Sequence, residues 1–163
     1  MILDFTYEKS NDWYRKEWMP RKQKSISEEW QVEIFDFLND WFSNKIKFEI
    51  TTSGTTGSPK IEWFPRDAFI SSAQITINTF DLNKGDTLFM CLPMYFVAGK
   101  MMLIRAIVGR MKLVVVQPSN NPIKDIKYPI EFGAFTPHQL QTILNKNPKK
   151  LNLNSFLISK TAT

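Results

Sequence analysis

A chain of 163 residues with 43% apolar and 23% charged side chains has the material for one hydrophobic core and none of the character of a disordered polymer. Its single cysteine, Cys91, excludes an internal disulfide, and no apolar run approaches the roughly 18 residues of a membrane span. The net charge of +5 raises a nucleic-acid-binding class, but only Arg15 to Lys24 and Lys149-Lys150 are locally basic, so nucleic acid is not the expected partner.

Asp4 and Glu8 stand where a secretory signal needs an unbroken apolar core, which makes the cytoplasm the expected compartment. Residues 1–24 carry Trp13, Trp18 and Pro20 among charges of both signs without a helical or strand period, and predict an irregular N-terminal arm. Ser25 and Glu28 are spaced as a capping box. The apolar residues Ile26, Trp30, Ile34, Phe37 and Trp41 then predict an amphipathic helix over 28–42. Lys47 to Thr51 alternates as a short strand, and Ile61 to Phe64 is suited to pair with it. Pro65 suits a helix start, with Phe69, Ala73, Ile77 and Phe80 on one face, and Asn83 to Asp86 is a turn containing Gly85.

Thr87 to Leu92 is an apolar run stopped by Pro93, as for a strand covered on both faces, within which Cys91 reads as a small buried residue. After the loop Pro93 to Gly99, Lys100 to Val108 predicts a helix with Gly109 as its C-cap. Leu113 to Val116 and Glu131 to Phe135 predict strands. Pro137 opens a helix carrying Leu140, Ile143 and Leu144, and Ser155 to Ser159 predicts the last strand. Strands alternating with helices indicate an α/β fold with a mostly parallel sheet and flanking helices; the order of its strands is not readable.

The chemistry concentrates in Thr52 to Lys60, nine residues holding two glycines, five hydroxyl side chains, a proline and a terminal lysine. Gly54 and Gly57 permit close approach of the backbone, while the hydroxyls and amides donate to several anionic oxygens at once. Lys60 adds a compact cation. A Walker A loop is excluded, because Pro59 stands five residues after Gly54 and Lys60 is followed by Ile61; the dinucleotide pattern Gly-x-Gly-x-x-Gly is absent too. A polyphosphate cradle of another kind remains.

In residue order, Thr52 to Lys60 resembles at every fixed position the phosphate loop Thr-Ser-Gly-Thr-Thr-Gly-x-Pro-Lys of the adenylate-forming (AMP-binding) acyl-CoA synthetase superfamily. Leu92-Pro93-Met94-Tyr95-Phe96-Val97-Ala98-Gly99 resembles that family's acyl-pocket segment Leu-Pro-x-x-His-x-x-Gly, with Phe96 in place of the histidine, which leaves aromatic stacking against substrate or plain core packing as its role. Phe135-Thr136-Pro137-His138-Gln139-Leu140 is similar to the Pro-Thr-Gln-Leu segment of o-succinylbenzoate-CoA ligases of menaquinone synthesis. Gly99-Lys100-Met101-Met102 with Arg105 is similar to bacterial members of that group. His138, the only histidine, reads as a surface or capping residue and cannot build a metal site alone.

The resemblance implies ATP, magnesium and CoA as co-substrates and a small carboxylic acid, o-succinylbenzoate, as acyl substrate. Thr52, Ser53, Gly54, Thr55, Thr56 and Gly57 would cradle the β and γ phosphates with Lys60 as counter-charge. Phe96, Gly99, Lys100 and Arg105 would border the acyl pocket, Lys100 or Arg105 holding the carboxylate that does not react. No protein metal site is expected. The resemblance runs from Phe48 to Ile158, and where the family continues with Gly-Gly-Ala this chain has Ser159-Lys160-Thr161-Ala162. Residues 25–163 are therefore expected to be an incomplete AMP-binding domain, an N-terminal portion inactive alone, and its exposed sheet is expected to favour homo-oligomers. A non-catalytic nucleotide- or phosphate-binding module and a basic nucleic-acid-binding protein are the alternatives.

Overall fold

The computed structural model describes the backbone of residues 1–6, 28–52, 60–124, 126, 129–146 and 153–158. Eleven elements follow in order: β1 Ile2–Asp4, α1 Glu29–Trp41, β2 Lys47–Thr52, β3 Lys60–Pro65, α2 Arg66–Thr79, β4 Thr87–Met90, α3 Val97–Val108, β5 Lys112–Val115, β6 Ile130–Phe135, α4 Pro137–Lys146 and β7 Leu153–Ile158. The alternation of strands and helices is the one the sequence predicts. Five strands form one sheet in the order β1-β5-β4-β6-β7, and β2 and β3 form a separate antiparallel pair. Pairings among β5, β4, β6 and β7 are parallel, while β1 joins the β5 edge antiparallel.

That edge strand departs from the expected irregular arm. Ile2, Leu3 and Asp4 pair with Val114, Leu113 and Lys112, and the Met1 amine donates to the Val115 carbonyl at 2.9 Å. Three residues are too few to show a period. Their placement follows from burial of Leu3 and Phe5 against the sheet, a tertiary gain that no local pattern reports. Residues 7–24 of the arm, and Ser25 of the expected capping box, lie outside the described residues. Glu28 occupies the N-cap of α1 without a side-chain cap hydrogen bond.

Helix α1 buries Ile34, Phe37, Leu38 and Trp41, the stripe set by its three- and four-residue spacing. Trp41 and Phe37 meet Phe48 of β2, which packs edge-on against Phe69 of α2. The Arg66 guanidinium lies over the rings of Trp41 and Phe48, at 5.3 and 5.6 Å, and donates to the carbonyls of Ser43 and Lys45. It thereby ties the start of α2 to the turn between α1 and β2. The turn at Asn83 to Asp86 forms as predicted, with Gly85 at φ +93°.

Gly109 occupies the C-cap of α3 but is right-handed, at φ −83°; the left-handed residue is Arg110, at φ 54°. Gly109 is thus the C-cap as expected, and only the left-handed conformation falls one residue along. Beneath α3, β4 and β5 are buried on both faces, Leu88, Phe89, Met90, Leu113 and Val115 being almost wholly inaccessible.

Candidate functional site

Strand β2 leads into the hydroxyl-rich loop and β3 leads out of it. The two are paired from Lys47 with Pro65 to Thr52 with Lys60, so the last rung of the ladder sets the first and last residues of the loop opposite each other. Residues 53–59, which include Ser53, Gly54, Thr55, Thr56 and Gly57 of the expected phosphate cradle, lie outside the described residues. Lys60 is exposed at the mouth of the hairpin. Phe48, buried in the aromatic cluster, anchors the other end, so the loop is carried on a fixed lever.

The second motif is brought to the first by the backbone. Thr51 and Phe96, forty-five positions apart in the chain, form an isolated parallel bridge. Beside it the Lys100 ammonium donates to the Glu49 carbonyl at 2.8 Å. Burial lowers the Lys100 pKa, Glu49 opposes that shift, and Lys45 adds to it. Gly99 makes the approach possible: a β-carbon there would stand 2.2 Å from the Pro93 carbonyl oxygen, so α3 starts directly against the turn that follows β4.

A cavity of about 290 Å³ opens beside the Thr51–Phe96 bridge, between α1, β2 and the segment after β4. Glu33, Asp36, Phe37 and Asp40 of α1 form one wall; Lys45, Phe48, Glu49 and Thr51 form the second; Met94, Tyr95 and Lys100 form the third. Lys45 is ion-paired with Asp40 and lies over the rings of Phe48 and Trp63. Phe96 does not line this cavity. It sits at the N-cap of α3 with its ring edge-on to Tyr95, the aromatic residue of the Leu92 to Gly99 segment that lines the cavity.

Arg105 is not brought to Lys100. Five positions separate them on α3, roughly 140° of turn and about 7.5 Å of rise. Arg105 is 9% exposed, with Nη1 directed at the Met102 sulfur at 3.5 Å and Nε buried without a partner; burial lowers its pKa to about 10. A role shared with Lys100 in holding one carboxylate does not fit this placement. His138 is exposed on the first turn of α4, in keeping with its reading as a surface residue. Among the described residues no group of three or more His, Cys, Asp or Glu side chains could hold a metal, and no helix is long and apolar enough to cross a membrane.

Gln139 carries more structure than the sequence assigns it. Thr136-Pro137-His138-Gln139 is a capping box: the Gln139 amide donates to Thr136 Oγ1 at 3.1 Å and the Thr136 amide to Gln139 Oε1 at 3.0 Å. Gln139 Nε2 also donates to the Ser119 carbonyl at 2.9 Å. The Thr-x-x-Gln spacing was the available signal for this box. The carboxylate row Glu33, Asp36 and Asp40, at helical spacing on α1, was the signal for the acidic wall of the cavity.

A family model described as AMP-binding enzyme matches residues 10–159. The chain belongs to the AMP-binding enzyme family. Over 151 residues it is 28% identical to the human β-alanine-activating enzyme, an alignment covering 91% of this chain and 13% of that protein. The structure of an acyl-CoA synthetase (AMP-forming)/AMP-acid ligase II-like protein from Dyadobacter fermentans superposes with a TM-score of 0.74 at 27% identity, over 100% of this chain and 45% of that one. The o-succinylbenzoate coenzyme A synthetase of Bacillus subtilis, solved with ATP and magnesium ion, gives a TM-score of 0.59 at 19% identity, over 68% of this chain and 24% of that one, and shares the fold. The α/β architecture here is that of the N-terminal domain of AMP-forming acyl-CoA synthetases, and the chain spans less than half the length of these relatives.

Proposed function

We propose that this chain supplies the phosphate loop and one wall of the acyl site of an ATP-dependent acid-CoA ligase. The observation that carries the reading is the Thr51–Phe96 bridge, which sets the strand entering the phosphate loop beside the acyl segment. Thr52, Ser53, Gly54, Thr55, Thr56 and Gly57 hold the β and γ phosphates of ATP, and Lys60 follows their charge. Magnesium arrives with ATP as part of the substrate, bound through phosphate oxygens. The difficulty of the first step is electrostatic, because a carboxylate must approach a triphosphate, and amide, hydroxyl and ammonium donors at the loop reduce that repulsion. The carboxylate oxygen attacks the α phosphorus, pyrophosphate leaves, and the thiol of CoA then displaces AMP to give the thioester.

For the acyl substrate we propose o-succinylbenzoate, on the strength of the Phe135 to Leu140 segment, with Tyr95 as an aromatic surface and Lys100 as the cation for the distal carboxylate. A second reading is an acid bearing an amine. It is favoured by Glu33, Asp36 and Glu49, which leave the cavity richer in carboxylates than in ammonium groups, and by the activity named for the human relative. Calorimetric titration of o-succinylbenzoate and of β-alanine, each into protein saturated with MgATP, tests both. The first reading expects o-succinylbenzoate to bind the more tightly by about tenfold or more, the worth of one charge-assisted hydrogen bond; preference for β-alanine replaces it with the second.

A further inference from the structure

The sheet splits at one place. The ladder between β4 and β6 stops at Leu88–Phe132 and Phe89–Gly133, whereas β4 continues with β5 to Met90–Val115 and β6 continues with β7 to Phe135–Ile158. The split lies at the carboxyl ends of the strands and at the point where the chain order reverses, since β5 lies on one side of β4 and β6 on the other. In open α/β sheets this is where ligands enter. Here the gap is spanned by side chains: Cys91 Sγ lies 3.5 Å from the Ala134 carbonyl oxygen and 3.8 Å from Gln139 Oε1, and Gln139 Nε2 lies 3.5 Å from the Cys91 carbonyl oxygen.

We propose that Gln139 is a positioning residue which closes the split between β4 and β6 and thereby sets where the Leu92 to Gly99 segment leaves the sheet; its consequence for the acyl site rests on the ligase reading above. The carboxamide is 6% exposed, and with Arg105 it makes up the buried polar side chains among the described residues. Its oxygen is occupied at the start of α4 and its nitrogen by the carbonyls of Cys91 and Ser119, so one planar group joins α4, the end of β4 and the loop after β5. A capping box needs only the oxygen. The nitrogen serves the split. From Cys91 the chain runs through Pro93, whose carbonyl abuts Gly99, to Phe96 and its bridge to Thr51. A change in the amide is thus transmitted along packed backbone to the strand that enters the phosphate loop.

Cys91, the only cysteine, reports on the split directly, because its buried thiol is held back from disulfide reagents while the gap is closed. Gln139→Glu keeps the oxygen for the helix cap and removes the nitrogen donor; Thr136→Ala weakens the cap and keeps the nitrogen. With a chromogenic disulfide at neutral pH, Gln139→Glu is expected to raise the Cys91 labelling rate in the absence of denaturant by about tenfold or more, beyond what its global stability allows, as the loss of a buried hydrogen bond implies. Thr136→Ala is expected to change labelling only as far as its global stability changes. Should the glutamate variant not fold, Gln139→Met, which removes the cap oxygen as well as the nitrogen donor, is compared with Thr136→Ala, in which the cap is weakened and the nitrogen kept. Equal labelling of the two classes of variant at matched stability overturns the proposal. Titration of o-succinylbenzoate into the MgATP-loaded protein gives the second readout: weaker acid binding in the Gln139 variant than in Thr136→Ala supports the positioning role, and equal acid binding in the two counts against it. Failure of the wild-type protein to bind either ligand refutes the ligase reading and leaves the thiol measurement to decide the role of Gln139.

Discussion

Replacing Gly99 by alanine sets two effects of similar size against each other. Alanine is favoured over glycine inside a helix by about 1 kcal/mol, which taken alone predicts a more stable protein. The β-carbon, however, would stand 2.2 Å from the Pro93 carbonyl oxygen and 2.8 Å from the Pro93 carbonyl carbon. Carbon–oxygen contacts settle near 3.3 Å, so about 1 Å must be found by moving backbone against backbone. Overpacking of this kind costs about 1–3 kcal/mol, and Gly99 lies in the first turn of α3, where the propensity gain is incomplete. We expect Gly99→Ala to lose about 1–2 kcal/mol in urea unfolding and to weaken MgATP binding through the displaced Phe96–Thr51 bridge. Gly109→Ala is the internal control. Its β-carbon would also come within 2.2 Å of an atom, but that atom is the terminal methyl of the flexible Met111 side chain, and the nearest backbone atom, the Arg105 carbonyl oxygen, is 3.1 Å away. It should change stability by less than about 1 kcal/mol. Equal stability of the two variants, or a Gly99→Ala protein more stable than the parent, refutes the steric argument.

Other outcomes follow from the same structure. Burial pushes the Cys91 thiol up to about 12 from an ordinary value of about 9, so above pH 9 the unfolded chain releases a proton that the folded chain keeps. Stability should therefore fall between about pH 9 and pH 12, by at most about 1.4 kcal/mol per pH unit, relative to a Cys91→Ala protein in parallel urea titrations. A pH profile identical to that of Cys91→Ala would count against this burial. Arg66→Ala, which removes the guanidinium over Trp41 and Phe48 and its bonds to Ser43 and Lys45, should cost about 2–3 kcal/mol by thermal or urea unfolding. Arg66→Lys should recover less than half of that loss, because an ammonium cannot serve both carbonyls and both rings; full recovery would show that charge alone matters.

Much of the fold was legible because it is local. The stripe Ile34, Phe37 and Trp41 fixed α1, Pro65 and Pro137 marked the starts of α2 and α4, and the runs ended by Pro93 and Pro118 marked β4 and β5. What the sequence could not yield depends on contacts between distant segments. Three residues at the N-terminus become a strand only because β5 offers an edge, and the order of the five strands rests on pairings between segments far apart in the chain. At the site, the residue order of Thr52 to Lys60 pointed to the AMP-binding enzyme family, to which the chain belongs. Of the segment Leu92 to Gly99, expected to border an acyl pocket, Met94 and Tyr95 line the cavity and Phe96 does not. Lys100 and Arg105 both suited a carboxylate in the sequence, yet helical geometry sends one to the cavity and buries the other. Gln139 escaped notice as a structural bridge because nothing near it in sequence reveals that β4 and β6 part company at Phe89 and Gly133.

The claim on which the functional reading stands is that the hairpin of β2 and β3 presents a polyphosphate site. Calorimetric titration of MgATP into the protein and into Lys60→Ala, each shown folded by circular dichroism, tests it most directly. Saturable binding to the parent, weakened about tenfold or more by loss of the Lys60 charge with unchanged stability, is the expected result. The absence of MgATP binding to folded parent protein, or equal affinity in the variant, contradicts it.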